Sequence, residues 1–156
     1  MKSKFSYRFR KTSWGICIDM TAEFVACDLA LLDPDNKKLL PVSDRLWLHL
    51  YSGFPSLTEE EKQFLVLGAR LFPNTPSHPF PGTPGVIKIV ELGFPDTEFQ
   101  PEGLACVMAA WMSREWDAAM PDIPIRYDRP KNVYFFKFPG LPEMGTHAIH
   151  GKMTAD

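Results

Sequence analysis

The chain has no run of about twenty apolar residues that would cross a bilayer as a helix; its most apolar stretches are broken by Asp28, Lys88, Glu91 or proline. That excludes a helical membrane span. Cysteine is scarce: Cys17, Cys27 and Cys106 are odd in number, form no C-x-x-C pair and each sit in an apolar stretch. A disulfide framework is thereby excluded, and reduced, buried thiols are expected. Phosphate-binding glycine loops are missing, since neither GxGxxG nor GxxxxGK[ST] occurs and Gly82-Thr83-Pro84-Gly85 contains a proline that removes a donor amide. No GxSxG nucleophile elbow is present, and Asn74 is followed by Thr75-Pro76, so no Asn-x-Ser/Thr acceptor exists. The start MKSKFSYRF lacks the apolar stretch of a secretory signal. A cytoplasmic location is the expectation.

What is abundant is proline, 15 in 156 residues, against a usual share of about 5%. None precedes Pro34, and five crowd positions 73–84. With 45% hydrophobic and 23% charged residues the chain has the composition of a globular domain, long enough to bury a core without metal or disulfides. Net charge is only −2, yet unevenly placed: the first 18 residues carry +5 and the remainder −7. An acidic body repels phosphate backbones and suits a basic partner.

Hydrophobic periodicity supplies the elements. Phe5, Tyr7 and Phe9 alternate with Lys4, Ser6, Arg8 and Arg10, which predicts a half-buried strand with a basic outer face. Trp14 to Met20 repeats the alternation, Glu23 to Leu32 predicts a third strand, and Leu46 to Leu50 a fourth. Ser56 and Glu59 form a capping box opening a helix over 56–72, which Pro73 stops. Residues 73–85 read as a long, stiff loop. Val86 to Leu92 is a β-branched central strand, and Pro101 and Glu102 open a second helix ending near Ala119. Ile123 to Tyr127 and Val133 to Phe138 predict a closing hairpin.

The expected architecture is α+β: an antiparallel or mixed sheet of about six to seven strands with two main helices packed on one face. One domain is expected over 1–138, strand-rich to residue 55 and β-α-β-β over 86–138, followed by a mobile tail over 139–156.

His147 and His150 have an H-x-x-H spacing, but zinc needs three or four ligands and no cysteine or carboxylate run lies near. Asp33-Pro34-Asp35-Asn36 lacks the glycine and terminal glutamate of a calcium loop. No metal, cofactor or catalytic residue is therefore expected. The N-terminal strand interleaves aromatics with cations, but alternation places them on opposite faces, whereas a single-strand nucleic-acid binder needs them together.

The loop entering the second helix is the candidate site. Phe94 and Phe99 flank Asp96 and Glu98, Glu102 follows, and Trp116 lies at the far end of the helix. Aromatic anchors ringed by carboxylates suit a basic protein partner. The expected function is a small protein-binding module, most concretely an immunity or antitoxin-type protein occluding a basic toxin or effector through Phe94, Asp96, Glu98, Phe99, Glu102 and Trp116. The alternatives are a small hydrolase with a carboxylate-lined cleft and His49 as acid-base, and a nucleic-acid accessory protein using Lys4, Arg8 and Arg10.

Overall fold

The computed structural model describes residues 2–12, 14–51, 56–72 and 83–145. Strand β1 (Ser3–Arg10) turns Phe5, Tyr7 and Phe9 inward and leaves Lys4, Ser6, Arg8 and Arg10 exposed, as strict alternation requires. It pairs antiparallel with β2 (Gly15–Ala26), from Ser3 opposite Ala22 to Arg10 opposite Gly15. The two segments expected at 14–20 and 23–32 are one strand as far as Ala26. No turn residue interrupts the inward row Ile16, Ile18, Met20, Ala22, and only a bulge at Thr21/Ala22 marks the join. Beyond Ala26 the chain leaves the sheet, and residues 29–31 form a 3-10 turn whose Ala30 amide donates to Asp28 Oδ1.

Two further strands, β3 (Leu39–Pro41) and β4 (Leu46–Leu50), follow, and β3 is too short to leave a periodic signal. Helix α1 (Glu59–Arg70) then carries the chain across to β5 (Gly85–Gly93), which lies parallel to β4. A parallel pair requires such a crossover. The large sheet has five strands in the order β1-β2-β5-β4-β3, with β4 and β5 its single parallel pair. Central β5 buries Val86, Ile87, Ile89 and Leu92, while Lys88 and Val90 are half-buried and Glu91 is exposed.

The capping box of α1 sits two residues later than expected. Thr58 Oγ1 accepts the Glu61 amide at 3.1 Å, and Glu61 Oε1 accepts the Thr58 amide at 2.8 Å. Both T-x-x-E and S-x-x-E occur here, and the later one wins because Glu61, unlike Glu59, lies at the third helical position. Helix α2 (Glu102–Glu115) is buried over most of its length, since β1, β2 and α1 pack against it. Two glycines permit this packing: a Cβ on Gly68 would stand 2.3 Å from the Ala105 carbonyl oxygen, and one on Gly103 would stand 2.7 Å from Ile16 Cγ2.

Strands β6 (Ile125–Asp128) and β7 (Val133–Phe136) form a separate antiparallel hairpin. The seven strands of the described residues are therefore divided between two sheets, with α2 packed against β1 and β2 of the larger one and α1 packed against α2. Tyr134 fixes the hairpin to the rest. Its hydroxyl donates to the Trp14 carbonyl at 2.6 Å and accepts the Lys11 amide at 3.0 Å, while its main chain is held by Gln100. The structured chain also runs beyond residue 138, because Met144 forms a bridge to Phe136 and Leu141 packs on the core. The mobile tail expected over 139–156 is thus corrected for 139–145, and its remainder, including His147 and His150, lies outside the described residues. Residues 73–82 of the proline-rich loop expected over 73–85 do too.

Candidate partner-binding groove

The six residues expected to form one acidic, aromatic surface are dispersed. Phe99 is buried and stacks on Phe94 with ring centroids 3.8 Å apart, so it anchors the loop to the core. Glu102 is fully buried and accepts from Gln100 Nε2 at 3.1 Å. Both are corrected as contact residues: their position at the entry to α2 turns them inward beneath the hairpin. Trp116 is half-buried at the opposite end of α2, edge-on to Phe24 and Trp111. Glu98 pairs with Arg10 at 2.9 Å, which leaves Asp96 as the exposed acid of the loop.

His49 lies on the solvent face of β4, edge-on to Tyr51 with centroids 4.7 Å apart. Burial, then the charges of Lys88 and Lys38, hold its pKa below the ordinary histidine value. Among the described residues the charges acting on this imidazole are cations, not the carboxylates of the carboxylate-lined hydrolase cleft expected as an alternative. No group of three or more histidine, cysteine or acidic side chains suited to a metal is found among the described residues. Cys106 is inert: burial above all, helped by the Glu102 charge and opposed by the Tyr7 hydroxyl, pushes its thiol up to about 12. No helix among the described residues is long and apolar enough to cross a membrane.

A concave feature lies elsewhere, along the outer edge of β1. It is a groove of about 510 Å³, bounded by Phe5, Ser6, Tyr7 and Arg8 on one side and by α2 residues Ala110, Ser113 and Arg114, with Met120, on the other. Successive side chains of a strand point to opposite faces, so four consecutive lining residues mean that the groove follows the backbone edge. Among the described residues no strand pairs with β1 on that side. Met120 is 40% exposed, one of the few large apolar side chains so placed.

Electrostatically the groove is cationic. Arg114 Nη2 donates to the Lys4 carbonyl at 2.5 Å, and its guanidinium stands 5.1 Å from the centre of the Phe5 ring. Arg8 Nη1 donates to the Tyr7 carbonyl at 3.0 Å and Nη2 lies 2.9 Å from Asp19 Oδ1. Burial opposes ionisation of Asp19, but hydrogen bonds from Ser6 and Arg8 and the charges of Arg8 and Lys4 outweigh it, holding the carboxyl below its usual range. Ala110, Ser113, Arg114 and Met120 carried no signal in sequence, because their role depends on β1 being an edge strand, which only the strand order reveals. Compared with known proteins, the chain matches no family model, no curated protein and no solved structure.

Proposed function

We propose that this protein is a small protein-binding module that works by occluding its partner, as an immunity or antitoxin-type inhibitor does, and that it engages the partner along the edge of β1. The observation that carries this reading is the open, apolar-floored groove along the outer edge of the eight-residue β1, an edge that pairs with no other strand among the described residues. Exposed strand edges offer a row of backbone donors and acceptors to a second chain, and strand addition is a recurrent mode of protein recognition. The cations around His49 further favour binding over the hydrolase alternative.

The surface differs from the acidic one read from the sequence. Of its six members, Asp96 is exposed and Phe94 and Glu98 are half-buried at the loop, too few for the expected ring of carboxylates. The test uses affinity capture from the native host with two baits, wild type and Ala110→Trp, which fills the groove from the half-buried side of α2. A stoichiometric protein retained by wild type and lost with Ala110→Trp, both baits showing the same circular dichroism, supports the reading. Equal retention on both baits refutes the groove.

A further inference from the structure

We infer that the groove takes an extended, acidic segment of the partner protein, added beside β1 as a sixth strand of the large sheet. This rests on the partner-binding reading above and names the chemistry of the occupant. The shape argument is geometric. The groove runs along Phe5–Arg8, on the side of β1 that no other strand occupies among the described residues, and the strand is eight residues long. An added strand would place alternate side chains toward the apolar floor of Phe5, Tyr7, Ala110 and Met120, and the intervening ones toward solvent.

The charge argument selects acidity. Arg8 and Arg114 line the groove and no aspartate or glutamate does. Arg8 is already opposed by Asp19 at 2.9 Å. Arg114 differs: it forms no ion pair among the described residues, while its bond to the Lys4 carbonyl and its seat over Phe5 hold it against the strand edge. A guanidinium carries five donors in a fixed fork, and a carboxylate is the group that takes two of them at once. A charge held in position by neighbours loses less entropy on binding than a free side chain.

The same charges exclude a second copy of the chain. Pairing β1 with another β1 sets Lys4, Arg8 and Arg10 against their own kind, and like charges opposed across strands are destabilising. A nucleic acid is disfavoured on other grounds: Phe5, Tyr7 and Phe9 pack against the core and the Arg114 guanidinium already sits over the Phe5 ring, so no open ring faces a base beside the cations.

The experiment titrates the full chain with a fluorescein-labelled synthetic peptide of alternating valine and glutamate, read by anisotropy. Its counterpart with lysine for glutamate is run in parallel. The acidic peptide is expected to bind wild type, to bind Arg114→Glu about tenfold more weakly or worse, and to lose binding to Ala110→Trp. Arg114→Gln, which removes charge without reversing it, serves if Arg114→Glu fails to fold, and is expected to weaken binding by several-fold. Equal binding of the lysine peptide overturns the acidic specificity and leaves the groove reading standing. Acidic-peptide binding that Ala110→Trp does not alter places the peptide elsewhere and overturns the inference. No binding of the acidic peptide at millimolar concentration also overturns it, while host capture with Ala110→Trp decides the groove reading independently. A peptide-free dimer in sedimentation equilibrium, dispersed by Ala110→Trp, identifies the occupant as a second copy and overturns it as well.

Discussion

Replacing Gln100 by alanine is expected to cost a large share of the stability of the whole fold. Its amide is fully buried and works as a peptide group would: Oε1 accepts the Tyr134 N–H at 3.0 Å, while Nε2 donates to the Tyr134 carbonyl at 2.6 Å and to Glu102 at 3.1 Å. Truncation leaves the Tyr134 amide and carbonyl without that partner, and each stranded buried group costs about 1–3 kcal/mol. A loss of about 3–4 kcal/mol follows, from a total of roughly 5–15 kcal/mol for a domain. At about 2–4 °C per kcal/mol for a chain of this size, the melting midpoint should fall by about 6–16 °C. The isostere Gln100→Glu separates hydrogen bonding from volume. At neutral pH it presents a carboxylate to the Tyr134 carbonyl and Glu102, so its folded state favours the protonated acid. The pKa of the introduced acid would be raised on folding, so the variant should gain stability as pH falls. Urea melts of wild type, both variants and the exposed-site control Gln63→Ala provide the assay; the control should stay within about 0.5 kcal/mol. A loss under about 1 kcal/mol for Gln100→Ala, or a Gln100→Glu protein as stable as wild type at pH 7, refutes the reasoning.

Gly68→Val should destabilise despite adding a side chain to a helix, by about 1–3 kcal/mol, because its Cβ would meet the Ala105 carbonyl; a stable variant in thermal melts would contradict the close helix crossing. Asp19→Asn should reduce stability at pH 7. Because the folded-state pKa of Asp19 is depressed, the deficit relative to wild type should shrink once pH drops below the ordinary aspartate value of about 3.9, and a constant deficit would argue against the Arg8 and Lys4 charges as its cause. Cys17 and Cys27 are half-buried and Cys106 is buried. A thiol reagent should therefore label the first two in the native protein and Cys106 only on unfolding, and prompt labelling at Cys106 would contradict its placement beneath Tyr7.

Element type was legible wherever a strong period met a chemical stop. The alternation of β1, the apolar run of β5 and the proline-opened α2 were each readable because local backbone preference and burial agree there. The division into two sheets was not, because strand order is set by contacts between distant residues, such as Tyr134 with Lys11 and Trp14. The site failed for a related reason. Phe99 and Glu102 look like loop and helix-entry residues in sequence, where acids and aromatics face solvent, but the hairpin closes over that entry and buries both. The basic face of β1 was visible from the start, whereas its groove arises from Ala110, Ser113 and Arg114, more than a hundred residues away.

Amide hydrogen exchange of the full chain, with and without a saturating concentration of the acidic valine-glutamate peptide, tests strand addition at β1 most directly. Added hydrogen bonds along the outer edge should slow exchange at amides within Phe5–Arg8, with little change in β3 and β4 at the far edge of the sheet. Protection that appears on β3 and β4, or a bound peptide that leaves every β1 amide exchanging at its free rate, would contradict it.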